Sequence, residues 1–167
     1  MVVVVIIAPV WAADPAESQK IRATVTPKLI SVELSEASIS YGTLVLGTSD
    51  QSPEGDPVIT ATNNGTVEED FSIKGSNALL QGEGAHTWTL EDSPGDSDYT
   101  HEFGIGSSPS SYGPLDTSGK TLAEDLDPKT GSEDFKLRIS LPTSMQGGAD
   151  DYGEYELFVT ITATEHL

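Results

Sequence analysis

The chain has 167 residues, with 8 Lys+Arg against 27 Asp+Glu for a formal net charge of −19, and no cysteine. That length suits one domain, which at roughly 150 residues buries about 68–70% of its unfolded surface without staples. The lack of thiols excludes disulfides, cysteine catalysis and thiolate metal sites, and the charge repels nucleic-acid phosphates and anionic headgroups, so no nucleic-acid partner is expected.

The chain opens on an uninterrupted apolar run, 2–8, followed by Pro9-Val10-Trp11-Ala12 and then Ala13-Asp14-Pro15. Val10 and Ala12 take the third-last and last places before a small-residue cleavage site, after which the chain turns polar, as at a secretory signal junction. Residues 1–12 therefore read as a signal peptide, truncated at its start because no Lys or Arg precedes the apolar run, with 13–19 a short linker and Ala13 the mature start. A spanning helix needs about 20 apolar residues, so no transmembrane span is expected. The same residues carry a rival reading. Val2, Val3, Val4, Val5, Ile6 and Ile7 are all β-branched, which favours strand. Retained, that strand could insert into the open sheet edge of a neighbouring subunit, as in donor-strand assembly.

From Lys20 onward, segments of period two recur between Gly, Pro, Asn and Asp, the pattern of an all-β sandwich or barrel. Ile21, Ala23 and Val25 share one face, as do Ile30, Val32 and Leu34, then Ile39 and Tyr41 with Leu44 and Leu46 beyond Gly42. Asn64-Gly65 supplies the residues of a type I′ turn, predicting a hairpin that pairs Thr62 with Val67 and Val58 with Phe71. Four further faces follow: Trp88 and Leu90; Tyr99, His101, Phe103 and Ile105; Phe135, Leu137, Ile139 and Leu141; and Tyr155, Leu157, Val159, Ile161 and Ala163. The opposite faces carry Thr, Ser, Glu, Lys and Arg, so one face is buried and one wet, as in an antiparallel sandwich. Leu122 and Leu126 stand four apart before Pro128, which allows at most a short helical connector. Loops 49–57, 91–98, 106–119 and 142–153 join these strands within one domain, 20–165.

Two stretches, Tyr41-Gly42-Thr43-Leu44-Val45-Leu46-Gly47-Thr48 and Thr62-Asn63-Asn64-Gly65-Thr66 leading to Asp70-Phe71-Ser72-Ile73, resemble the hydin-related immunoglobulin-like β-sandwich domains of small secreted, cysteine-free bacterial surface proteins. The resemblance covers about the first half of the domain. It implies a single immunoglobulin-like antiparallel β-sandwich and an extracellular or cell-envelope location. It transfers no catalytic or binding residue.

Chemistry-bearing residues are sparse. The histidines are His86, His101 and His166. His101 lies on an apolar face between Tyr99 and Phe103, as a hydrogen-bonded core histidine would. A zinc site from His86, His101 and Glu102 meets the objection that Glu102 points to the opposite face. No Gly-x-Ser-x-Gly, phosphate-binding loop or His-Glu-x-x-His motif occurs, so no enzyme activity, catalytic residue or cofactor is expected. Calcium is the cation that acid-rich loops would take. Asp125 to Glu133 begins like an EF-hand loop, but Lys129 takes a ligand position and Gly131 comes one residue late. Asp92, Asp96 and Asp98 in one loop, and Asp150, Asp151 and Glu154 in another, are candidate calcium ligands, with solvated turn residues the competing reading. Asn64-Gly65-Thr66 is also a glycosylation sequon. Tyr112 and Tyr152 stand in polar loops where they could stack on a sugar or cover a sandwich end.

The reading is a non-enzymatic secreted or cell-surface structural module whose partners are a surface protein or glycan, or a second copy of itself. The alternatives are a pilus-like filament subunit that donates its N-terminal strand, and an extracellular glycan- or calcium-binding module.

Overall fold

The computed structural model describes residues 22, 24–82, 86–145 and 153–167. The expected signal peptide and linker lie outside them, as do Ile21 and Ala23 of the first expected strand. The described residues are all-β, with no helix and two sheets. The strands are β1 (Val32–Leu34), β2 (Ile59–Asn63), β3 (Glu69–Gly75), β4 (Ala78–Leu80), β5 (Thr87–Leu90), β6 (Asp98–Ile105), β7 (Gly113–Pro114), β8 (Lys120–Leu126), β9 (Ser132–Ser140), β10 (Tyr155–Glu156) and β11 (Val159–Glu165). The large sheet runs β1-β2-β9-β6-β5-β4-β10, with β7 also paired to β6, and the small sheet runs β11-β3-β8. One junction breaks the antiparallel rule expected from the alternation, because β5 and β6 pair in parallel through Thr89 with Asp98 and Leu90 with Tyr99.

The strongest alternations form the core. β6 and β9 pair from Thr100 with Ser140 to Ile105 with Phe135. Their inward residues Tyr99, His101, Phe103, Phe135, Leu137 and Ile139 are all buried. Phe71 and Ile73 of β3 and Leu122, Ala123 and Leu126 of β8 meet Ile59, Ala61, Trp88 and Leu90 of the large sheet in the same cluster. Each large apolar side chain removed from water this way contributes about 1.5–3 kcal/mol. Ile105, expected on this face, is 51% exposed. It is the last residue of β6, and Gly106 turns the chain away with a φ of 91°.

Three local expectations are corrected. The Asn64-Gly65 hairpin does not form. β2 and β3 lie in different sheets, so Thr62 faces Glu33 and Ser132, and Phe71 faces Ala163 and Ala123. Neither Asn64 nor Gly65 has the positive φ that a type I′ turn requires. Buried Asn63 bends the chain instead. Its Oδ1 accepts from Gly65 N at 2.8 Å, and its Nδ2 donates to the Val67 and Leu126 carbonyls, each at 2.8 Å. That Asx-type bend throws the chain across the core as an arch from one sheet to the other.

The second correction is the connector at 121–127, which is strand β8 rather than helix. Leu122 and Leu126 share a face in an extended chain as readily as in a helical one. Register shifts where β3 passes Phe71 let Ala123 turn inward as well, which disguises the period. The third is the segment carrying Ile39, Tyr41, Leu44 and Leu46, which forms no named strand. Gly42 and Gly47 adopt φ of 67° and 76°, so the chain folds over the core in turns while Ile39, Tyr41 and Leu44 still pack on it. Upstream, β1 is only three residues long, Ile30 is outside it and 47% exposed, and Val25 is 90% exposed.

Candidate functional site

The polar side chains in the interior join segments distant in sequence. Tyr41 Oη lies 2.7 Å from Nε2 of His101, with the rings edge to face at 5.8 Å. His101 is fully buried, and burial pushes its pKa down to about 4, so it is neutral at pH 7. Burial, with Tyr99 nearby, pushes the Tyr41 hydroxyl far above its usual range. Neither group is poised to move a proton near neutrality. Nδ1 of His101 has no hydrogen-bond partner among the described residues.

A second buried group is Glu69, at 0% exposure. Its Oε1 accepts from Ser31 N at 2.9 Å, and the arch is bound to the same segment by Asn64 N to Ser31 O and Thr66 N to Leu29 O, both 2.8 Å. Leu29 N returns a bond to Thr66 Oγ1 at 2.9 Å. Asn63 and Glu69 therefore hold the crossing between the sheets and the strand that enters it. Neither residue is a site candidate on sequence grounds, where an Asn beside Asn-Gly and a Glu within Glu68-Glu69-Asp70 look like surface.

On the outer face of the large sheet, cross-strand neighbours Arg138 and Glu102 form a forked pair, Nε to Oε2 at 2.7 Å and Nη2 to Oε1 at 3.2 Å, with Asp50 3.3 Å away. The bond to Glu102 raises the Arg138 pKa further. The guanidinium lies 4.3 Å from the centroid of the Tyr112 ring. The candidate sugar-stacking tyrosine is thus half-buried, with one face of its ring taken by a cation. Tyr152, its counterpart, lies outside the described residues.

Among the described residues, the candidate calcium ligands Asp92, Asp96, Asp98 and Glu154 do not join in a group of three or more. Asp96 Oδ1 accepts from Ser144 Oγ at 2.8 Å, Asp98 opens β6, and Asp92 is exposed. The 91–97 loop is clasped to 143–144 by Thr143 N to Gly95 O at 2.9 Å and Ser97 N to Ser144 O at 3.0 Å. Asp150 and Asp151 lie outside the described residues, while Glu154 is exposed and its carbonyl accepts from Gln81 N at 2.8 Å. Among the described residues no three His, Asp or Glu side chains are grouped closely enough to hold a metal ion. Asn64, the sequon residue, is exposed on the arch, its Nδ2 3.4 Å from Glu33 Oε2. His101 faces the core and Glu102 the outside, so the zinc grouping is not assembled.

A cleft of about 390 Å³ opens between the 44–46 turn and the end of the large sheet, lined by Leu44, Leu46, Trp88, Leu141, Met145 and Tyr155 among others. Trp88 and Tyr155 stack face to face there at 3.7 Å. Nε1 of Trp88 is buried without a hydrogen-bond partner among the described residues. Among the described residues the lining is mainly apolar and carries no charged side chain. No helix among the described residues is long and apolar enough to cross a membrane. The chain matches no family model and no curated protein sequence.

Proposed function

We propose that the chain is an exported, non-enzymatic structural module of the cell surface or envelope, built as one immunoglobulin-like β-sandwich over 20–165 with its mature start at Ala13. The observation that carries this reading is where the interior polar groups go. His101, Asn63 and Glu69 are each buried and bonded to Tyr41, to the arch and to Ser31, so they brace the fold instead of facing a substrate. The two sheets share one core and the chain crosses repeatedly between them, as in Greek-key sandwiches. The strongly acidic surface suits a soluble, self-repelling module. The test is the intact mass and N-terminal sequence of the chain recovered separately from the medium and the envelope of its host. A chain beginning at Ala13 in either extracellular fraction is the expected result, and a chain confined to the cytosol overturns the reading.

A second reading, a filament subunit assembling by strand addition, is favoured by one specific observation. β11 is an edge strand paired on one side only among the described residues. High-mass envelope material retaining Val2 to Ile7 would bring this reading to the front.

A further inference from the structure

Where the arch leaves β2, the Asn64-Gly65 pair is divided between solvent and interior. The Asn64 side chain is exposed, while Gly65 is buried. Asparagine is thermolabile because the backbone nitrogen of the next residue can attack its side-chain carbonyl carbon, and glycine, with no Cβ, hinders that ring closure least. The attacking atom here, Gly65 N, is engaged. It donates to Oδ1 of buried Asn63 at 2.8 Å. The flanking amides are held as well, Asn64 N by the Ser31 carbonyl and Thr66 N by the Leu29 carbonyl, each at 2.8 Å. Gly65 has no room to turn, since Glu69 Oε1 and the Leu29 carbonyl oxygen fill the space beside its Cα.

We propose that Asn64-Gly65 is a deamidation site gated by the arch, with Asn63 holding the attacking nitrogen until the arch opens. In the open arch Gly65 N gives its proton to water and bonds to Cγ of Asn64. The Cγ–Nδ2 bond then breaks, and Nδ2 leaves as ammonia with a proton returned by water. A second attack, by water on either carbonyl of the succinimide, leaves aspartate or isoaspartate at position 64. Water is consumed and ammonia released, so no oxidant or reductant is needed.

The product cannot resume the native contacts. Nδ2 of Asn64 lies 3.4 Å from Oε2 of Glu33. A carboxylate in its place sets like charges against each other beside the pairing of Glu33 with Thr62 that joins β1 to β2. Isoaspartate also adds a carbon to the main chain between the bonds to Ser31 and Leu29. Each opening therefore exposes the chain to a one-way change that loosens β1, and the fraction converted records the time the arch has spent open. This goes beyond the surface-module reading and does not depend on it, because the chemistry needs only water.

The test follows the amide-to-acid mass change and the isoaspartate fraction at position 64, by peptide mass spectrometry of the full chain incubated at neutral pH. The folded parental protein should convert about tenfold or more slowly than the same protein unfolded in urea, since the opening equilibrium sets the rate. Asn63→Ala under folding conditions should convert several-fold faster than parental protein brought to the same overall stability by mild urea. That comparison separates the bond to Gly65 N from general destabilisation. Equal rates for folded and unfolded parental protein overturn the proposal, as do equal rates for Asn63→Ala and the parental protein at matched stability. If Asn63→Ala fails to fold, amide exchange of the parental protein decides. Gly65 N–H must be protected, and free exchange there overturns the proposal. Converted chains, separated by ion exchange, should have a lower urea midpoint than unconverted ones, and equal midpoints would overturn the loosening of β1. The surface-module reading stands or falls separately, on host fractionation.

Discussion

The hydroxyl of Tyr41 and Nε2 of His101, 2.7 Å apart, link the irregular 38–48 segment to the middle strand of the large sheet. The imidazole in this contact is neutral at pH 7, because burial holds the His101 pKa down at about 4 against 6.5 in the open chain. Between those values the unfolded state binds the proton and the folded state does not. Stability is therefore full above pH 6.5 and is lost as the pH falls toward 4, by roughly 3 kcal/mol if the whole shift is realised. Denaturant melts at pH 7, 5.5 and 4.5 should show this slope in the parental protein, and His101→Leu should flatten it. A slope unchanged by that substitution would assign the acid sensitivity to other groups.

The arch between β2 and β3 makes Gly65 necessary for space. A Cβ there would overlap Glu69 Oε1 and stand 2.5 Å from the Leu29 carbonyl oxygen and 3.1 Å from Asn63 Oδ1. Gly65→Ala should therefore cost about 2–3 kcal/mol through overpacking. Asn63→Ala strips the bend of its buried bonds and should cost about 1–3 kcal/mol, whereas exposed Asn64→Ala should stay within about 0.5 kcal/mol. Equal losses at 63 and 64 would contradict the arch. Urea midpoints of the three variants decide it.

How far the sequence is legible depends on whether the deciding contact is local. Strands β6 and β9 can be read directly, since one face of each, Tyr99 to Phe103 and Phe135 to Ile139, is apolar at period two and buried. Asn64-Gly65 misleads, because the dipeptide is a strong local turn signal while the outcome is set by Asn63 reaching Leu126, 63 residues away. The bulge opposite Phe71 hides β8, and Gly42 and Gly47 interrupt what the apolar spacing presents as a strand. The candidate sites follow the same division. That His101 is a core residue can be read from its neighbours Tyr99 and Phe103, but its partner Tyr41 is 60 residues distant. Nothing near Tyr112 in the sequence announces Arg138 over its ring.

Arg138 is held by a forked carboxylate pair on one side and an aromatic face on the other, geometry that a lysine ammonium cannot reproduce. The cluster is partly solvated, with side-chain exposures of 27% for Arg138 and 13% for Glu102, so its contribution is modest. Arg138→Lys should lower stability by about 1 kcal/mol, a Tm change of roughly 2–4 °C at this size. Glu102→Gln in the Arg138→Lys background should add less than it does alone, because the two share one interaction. Additive losses in thermal melts of the double-mutant cycle would remove the coupling.

Trp88 separates shape from polarity in the apolar cleft. Its ring stacks on Tyr155 and it is 8% exposed, yet its Nε1 has no hydrogen-bond partner among the described residues. Removing the indole nitrogen therefore relieves an unpaired donor, and the loss in Trp88→Phe is one of area only, expected at about 1.5 kcal/mol or less. Trp88→Ala removes the whole stacking partner, joins its volume to the 390 Å³ cleft and should cost about 3–5 kcal/mol. The comparison is made by chemical denaturation followed by far-UV circular dichroism, which does not depend on the tryptophan being changed. If Trp88→Phe were as damaging as Trp88→Ala, the indole N–H would have a partner and the cleft would contain a polar group facing it.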